Sequence, residues 1–313
     1  MDVEIRPLGE RDLPEADRIF RLAFGTFLGL PDPMSFMGDA DLVRTRWRAA
    51  PAATFGAYMD DTLVGSNFAA NWGSFGYFGP LTVRPDLWDR GIARRLLAAT
   101  MDLFAQWGTR QAALFTFPNS PKHIGLYQKF GFWPQFLTPV MSKPVGRPTA
   151  AGPWSTYAAV PVQARPACLA ACRTLTEAIY PGLDVQGEIA AVARQQLGDT
   201  VLLHDGTDLV ALAICHLGTG SEAGAGAAFI KFGAVRPGDG AAPYFDQLLS
   251  ACETLAAARG LEQLVAGINT ARHEAYRMML ARGFRTLLEG VAMQRHNEPG
   301  YNLADRFVID DWR

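Results

Sequence analysis

The sequence predicts an α/β (α+β) protein in which one strand-and-helix unit is used twice. Three observations point there: a length of 313 residues, ordinary for two domains; an internal repeat in a single register; and the same order of strand-like and helix-like segments in each half. Leu81-Thr82-Val83-Arg84-Pro85 returns as Gly233-Ala234-Val235-Arg236-Pro237, 152 positions later. That offset also carries Leu96-Leu97 onto Leu248-Leu249, Gly108 onto Gly260, Gly131-Phe132 onto Gly283-Phe284 and Met141 onto Met293. One gapless register over this span indicates a duplication.

Each element of the first half has a local reason. A strand over Val3–Pro7 leads into an amphipathic helix near Leu13–Phe24, with Asp12 as its expected N-cap. Thr54–Tyr58 and Leu63–Ala70 read as strands joined by a hairpin turn at Asp60-Asp61. A strand over Phe75–Val83 stops at Pro85, and a long helix from Gly91 to Trp107 ends at Gly108. The strand Ala112–Phe117, a helix over Pro121–Lys129 and a strand over Phe136–Ser142 complete the unit. In the second half Ala227–Val235, Tyr244–Ala258, Gln263–Ile268, His273–Ala281 and Glu289–Gln294 repeat that order. Lys143–Pro153, rich in Gly and Pro, is the expected linker, which divides the chain into domains 1–145 and 154–313. Gly218–Gly226 reads as a flexible connection, and the aromatic, acidic tail from His296 to Arg313 as a segment that packs on an unspecified surface.

Composition narrows the function. With 49% apolar and 19% charged residues, each half can bury an ordinary core. A net charge of −2 argues against a nucleic-acid partner, which normally demands a basic excess. The start Met1-Asp2-Val3-Glu4-Ile5-Arg6 lacks the pattern of a secretory signal, and no apolar run is long enough to cross a bilayer. A cytoplasmic protein without a membrane partner is expected. Cys168, Cys172, Cys215 and Cys252 have no metal-like spacing and read as buried, reduced thiols, with no metal site.

The chemistry concentrates in Leu81-Thr82-Val83-Arg84-Pro85-Asp86-Leu87-Trp88-Asp89-Arg90-Gly91-Ile92-Ala93-Arg94-Arg95, a strand, a loop and a helix start. Backbone N–H groups in the first turn of a helix lack partners and face the positive end of its dipole. Small residues at Gly91 and Ala93 would let a pyrophosphate approach them, and Arg90, Arg94 and Arg95 add positive charge. From these residues alone, a capped helix with a surface arginine cluster is an equal reading. A second group follows at Pro118-Asn119-Ser120 and Leu126-Tyr127-Gln128-Lys129-Phe130-Gly131-Phe132.

Together the two groups resemble the GNAT superfamily of N-acetyltransferases. Its cofactor motif is Gln/Arg-x-x-Gly-x-Gly/Ala after a strand ending in Val-x-Pro, and its later element is Asn…Leu-Tyr-x-x-x-Gly-Phe. Val83, Pro85, Gly91, Ala93, Tyr127, Gly131 and Phe132 match; Trp88 stands where the family has Gln or Arg, and the interval from Asn119 to Tyr127 is one residue longer. The resemblance covers 3–143 well and 157–295 in outline. It implies two tandem GNAT folds, each a mixed, mostly antiparallel, splayed sheet flanked by helices. It also implies acetyl-CoA as co-substrate and transfer of the acyl group to an amine. The pantetheine arm would pair with Leu81, Thr82 and Val83, and the pyrophosphate would lie on the turn Trp88, Asp89, Arg90, Gly91, Ile92, Ala93 and Arg94, with Asn119 a further contact. An N–H at Leu81 or Thr82 would hold the oxyanion, and Tyr127 would act as general acid.

No carboxylate or histidine lies between Asn71 and Val83, so a general base is unassigned; Asp32, His123, Asp60 and Asp61 are the candidates. Phe24, Phe27, Leu28, Phe36, Met37, Trp72, Phe75 and Tyr77 form the expected acceptor pocket and favour a small, partly apolar amine, unless they are core. In the repeat register Gly91 falls on Pro243, Ala93 on Phe245, Arg94 on Asp246 and Tyr127 on Met279, so the second half is expected to be a degenerate, silent copy. Two readings stay open: an N-acyltransferase, and a non-catalytic acyl-CoA-binding or sensor protein. A homodimer is also left open. A dinucleotide-dependent oxidoreductase fits poorly, because no Gly-x-Gly-x-x-Gly follows an N-terminal strand.

Overall fold

A computed structural model describes residues 3–146 and 153–313. Of the expected linker, Lys143 and Pro144 instead end a strand, and 147–152 lie outside the described residues. The first half runs β1 (Glu4–Pro7), α1 (Leu13–Phe27), α2 (Leu42–Ala49), β2 (Thr54–Met59), β3 (Thr62–Trp72), β4 (Phe75–Phe78), β5 (Thr82–Val83), α3 (Ile92–Trp107), β6 (Gln111–Thr116), α4 (Pro121–Gln128), β7 (Phe132–Leu137) and β8 (Val140–Pro144). The second runs β9 (Trp154–Thr156), α5 (Arg165–Ile179), α6 (Gln186–Gln195), β10 (Gly198–Asp205), β11 (Asp208–Leu217), β12 (Ala227–Val235), α7 (Ala241–Ala258), β13 (Gln263–Gly267), α8 (His273–Ala281), β14 (Arg285–Leu288), β15 (Val291–Arg295) and β16 (Val308–Ile309).

Local chemistry sets most boundaries. α1 buries Leu13, Ala16, Ile19, Phe20 and Ala23 along one stripe at helical spacing. Asp12 makes no cap bond; its carboxylate instead accepts the Tyr58 hydroxyl at 2.7 Å, which ties the helix start to β2. The turn at Asp60-Asp61 has positive φ at both residues, as a tight hairpin requires. The span expected as one strand over Phe75–Val83 is two, β4 and β5, because Gly79-Pro80 interrupts it.

The described strands form two sheets. The first has the order β1-β2-β3-β4-β6-β15-β7 with β5 paired to β3; the second has β14-β8-β13-β12-β11-β10-β9 with β16 paired to β12. Pairing is antiparallel apart from β4–β6 and β12–β13, which gives two mixed, mostly antiparallel sheets flanked by helices. Each sheet contains one strand from the other half. β15 inserts between β6 and β7, and β8 between β13 and β14. Met141 and Met293, partners in the repeat, thus occupy equivalent places in opposite sheets, and both are fully buried.

The halves share a further core in which Trp72, Phe75 and Tyr77 meet Phe232, Tyr301 and Trp312. The Gly218–Gly226 segment, expected to be flexible, docks on the first half: Asp41 N–H donates to Ser221 O at 2.9 Å, and Ala225 N–H to Asp39 Oδ1 at 2.8 Å. Ser221 and Glu222 are buried there. Among the described residues no helix is long and apolar enough to cross a membrane.

Candidate active site

The first sheet opens at its centre. β4 pairs with β6 only from Phe75 to Tyr77, opposite Gln111 to Ala113; beyond that β6 continues along β15 while β5 stays on β3. The divergence follows from a bulge. Phe78 lies opposite Ala69 and Thr82 opposite Ser66, so one extra residue is accommodated on the β4–β5 side. Gly79 takes φ +149, a region that L side chains rarely adopt, and its N–H donates to Phe68 O at 2.8 Å. With Thr82 opposite Ser66 and Arg84 N–H bonded to Val64 O, alternation turns the backbone groups of Leu81 and Val83 away from β3, into the splay.

At one end of the splay the chain turns into α3. Gly91 is the residue before the helix, at φ +78, and a Cβ there would meet nothing within 4 Å. The turn is thus open to solvent at Gly91, just before the first-turn N–H groups of α3. Arg90 and Arg94 are exposed, and Ala93 is partly buried. Trp88, the residue that departs from the family motif, has a defined job: its Nε1 donates to Val83 O at 2.8 Å and ties the turn to β5. Lys122, at the start of α4, pairs with Asp89 at 2.6 Å and lies over the Trp88 ring. Asn119 is exposed in the turn before α4, whose cap is Ser120, accepting from His123 N–H at 3.4 Å.

Tyr127 is buried on the α3/α4 side, 5.8 Å from the Phe78 ring and within hydrogen-bonding reach of Thr116. Burial raises its phenol well above the usual range. His123, one helical turn earlier, lies 4.9 Å from the Phe27 ring; burial, then the Lys122 charge, lower its pKa below the ordinary histidine value. Phe24 and Phe36 stack at 5.2 Å, and Phe27 contacts Phe117 at the end of β6 at 5.0 Å, so α1 and α4 meet across an aromatic wall.

The expected acceptor residues divide. Phe24, Phe27, Leu28, Phe36 and Met37 remain partly exposed near this wall, whereas Trp72, Phe75 and Tyr77 are buried between the halves. Of the base candidates, Asp32 accepts from Met34 N–H, Asp61 pairs with Arg6, and Asp60 shares that hairpin turn. Only His123 adjoins both Tyr127's helix face and the aromatic wall.

In the second half the corresponding splay is filled by the chain itself. β12 and β13 pair from Ala227 to Ile230 and then part, and β16 lies against Gly233 and Ala234, the repeat positions of Leu81 and Thr82. Val235 N–H donates to Phe307 O at 3.0 Å. Arg272 anchors this strand with Nη1 to Val308 O at 2.8 Å and Nη2 to Asp310 at 2.6 Å; Tyr301 donates to the same carboxylate at 2.7 Å. The tail thus has a definite place. One detail of the repeat reading is corrected. Pro243, Phe245 and Asp246 do not form the turn before the helix, because α7 starts three residues earlier in the register, at Ala241 after Gly240. Met279 does occupy the place of Tyr127, fully buried.

The first sheet is thus a bulged, splayed mixed sheet with a glycine-led helix at its mouth, an architecture that comparison with known proteins finds again. Residues 17–132 match the model of the Acetyltransferase (GNAT) family, so the first half carries a GNAT domain. A putative acetyltransferase from Pyrococcus horikoshii is similar over 99% of this chain and 95% of its own, with TM-score 0.71 and 13% identity. A GCN5-related N-acetyltransferase from Sphaerobacter thermophilus covers 96% and 98%, at TM-score 0.58 and 15% identity. One from Anabaena variabilis covers 94% of this chain and 72% of its own, at TM-score 0.54 and 13% identity. At these identities the likeness shows the fold and not the reaction. No curated protein matches the sequence.

Proposed function

We propose that the protein is an N-acyltransferase that carries an acyl group, acetyl in the simplest case, from acyl-CoA to the amine of a small, partly apolar acceptor in the first splay. The observation that carries this reading is the bulge between β4 and β5, which turns the backbone of Leu81 away from β3 while Tyr127 packs in one cluster with Phe78 and Leu81, and the chain runs on through β5 to the exposed Gly91. The residues fit the co-substrate. The N–H groups of Gly91, Ile92, Ala93 and Arg94 would hold the pyrophosphate, with Arg90 adding charge. A phosphate would also compete with Asp89 for Lys122. Leu81 to Val83 would pair with the pantetheine amides, except that Val83 O is already engaged by Trp88.

In the reaction the amine nitrogen bonds to the thioester carbon, the carbon–sulfur bond breaks, and the sulfur gains a proton. Leu81 N–H would stabilise the oxyanion. Tyr127 stays protonated because its phenol is buried, and serves mainly by donating a hydrogen bond to the departing sulfur. His123, held neutral by the same kind of desolvation, is the base nearest to an amine lying against Phe24 and Phe27. The alternative, a non-catalytic acyl-CoA binder, draws on one observation: Asp32 and Asp61 are engaged elsewhere.

Calorimetric titration of acetyl-CoA into wild type and Gly91→Glu tests the site. One site per chain, weakened at least about 100-fold in the variant by blockage and phosphate repulsion, is expected. Undiminished binding in a folded variant removes this cofactor site, and two sites per chain would mean that the second half also binds.

A further inference from the structure

We infer that Arg46 is a positioning residue through which the second half sets the geometry of the first splay; this rests on the reading above. Arg46 lies on α2, is buried, and donates from Nη1 to Gly79 O at 2.7 Å. Gly79 is the bulge residue from which the splay opens. Nε and Nη2 of Arg46 grip both oxygens of Glu222, at 3.1 and 2.8 Å, and Nη2 also donates to Arg313 O. Glu222 is held in turn by Lys231 at 2.7 Å, and Lys231 by Glu188 at 2.8 Å. The Glu222 N–H donates to His216 Nδ1 at 3.2 Å. Beyond Arg46 and Gly79, the first half adds only Trp72, whose Nε1 donates to Glu188 at 3.5 Å; the charged partners of Arg46 and Lys231 named here all belong to the second half.

The two bulges are partners in the repeat. In β11–β12 the register shifts so that Cys215 faces Ile230 and Ile214 faces Phe232, which leaves Lys231 as the extra residue, 152 positions after Gly79. One bulge supplies a cation and the other a carbonyl, and Glu222 and Arg46 connect them.

Geometry gives this chain its consequence. Gripping Gly79 O fixes the peptide plane between Gly79 and Pro80. The proline ring fixes its own φ. A single backbone rotation, ψ of Pro80, then separates the gripped plane from the Leu81 N–H, and pairing of Thr82 with Ser66 holds the far side. The direction of the N–H proposed to meet the thioester carbonyl is therefore set by a guanidinium that the second half orients. Buried ion networks seldom add net stability but do fix orientation, and a donor must point at the developing charge to be effective.

The test uses the full chain and acetyl-CoA labelled with 13C at the thioester carbonyl, so no acceptor is needed. Wild type, Arg46→Gln, Arg46→Lys and Glu222→Gln are compared for CoA affinity and for the chemical shift of the bound carbonyl. In wild type the bound carbonyl is expected downfield of free acetyl-CoA. Arg46→Gln should lose most of that displacement while CoA affinity stays within about threefold, and Arg46→Lys, which keeps a donor, should recover part. Glu222→Gln should give an intermediate shift and supplies the reading if Arg46→Gln does not fold. An unchanged shift in folded variants, or loss of CoA affinity in parallel with the shift, overturns the inference. A wild type that binds acetyl-CoA without displacing its carbonyl overturns it alone; a wild type that does not bind overturns the cofactor reading as well.

Discussion

The two splays differ in what fills them. In the first, β4 leaves β6 after Tyr77, and β5 pairs with β3 and with no other described strand. In the second, β16 pairs with Gly233 and Ala234, and Arg272 ties the strand down through Val308 and Asp310. A splayed sheet leaves backbone groups without partners, which is costly where they are buried. The second half meets that need with its tail strand, whereas in the first the Trp88 side chain meets Val83 O and no tail strand pairs with β5. The two halves thus keep the same strands and helices around the splay and differ in whether a tail strand fills it.

The most damaging way to break this comparison is to separate the halves. Each sheet would lose an internal strand next to its edge: β15 with buried Val291, Ala292 and Met293 from the first, β8 with buried Val140 and Met141 from the second. Residues 1–146 produced alone should show no cooperative unfolding transition, and co-production with 153–313 should restore one. A cooperative transition in the lone fragment would show that the first sheet closes without β15.

A gentler perturbation acts on the filled splay. Ile309 is fully buried against Gly233. Ile309→Ala should cost about 2–5 kcal/mol, as for other buried aliphatic truncations, while acetyl-CoA affinity at the first splay stays unchanged. Urea unfolding and calorimetry report the two quantities. Undiminished stability would show that the tail strand is not docked, and a second acetyl-CoA site would show that Ile309 is what excludes the ligand.

Much of this was legible in the sequence because it is local. The offset of 152 residues gave the tandem order, Gly91 and Gly108 bracketed α3, and Val83-x-Pro85 ended the strand beside the splay. The strand exchange was not legible for a physical reason: Met141 and Met293 hold equivalent places in the repeat, and which sheet each strand joins is a contact between distant segments that no local pattern encodes. The tail's pairing with β12 is a contact between distant segments that no local propensity encodes. A gapless register hid the earlier start of α7, since the buried pair Leu248-Leu249 still matches Leu96-Leu97 although the helix gains a turn before it. Trp72, Phe75 and Tyr77 illustrate a general ambiguity, because aromatic residues at strand spacing look alike whether they line a pocket or an interface between halves.

The smallest expected effect isolates chemistry from architecture. Tyr127→Phe removes one hydroxyl from a buried ring and keeps its packing on Phe78. If Tyr127 mainly donates a hydrogen bond to sulfur, turnover should fall about tenfold, about 1.4 kcal/mol in activation free energy, with CoA affinity within about twofold. Full proton transfer would predict a loss of about 100-fold or more, and unchanged turnover would remove Tyr127 from the chemistry altogether. The reciprocal change, Met279→Tyr, restores the phenol to the second half but leaves β16 in its splay. It should therefore create no second acetyl-CoA site, because β16 still pairs with Gly233 and Ala234.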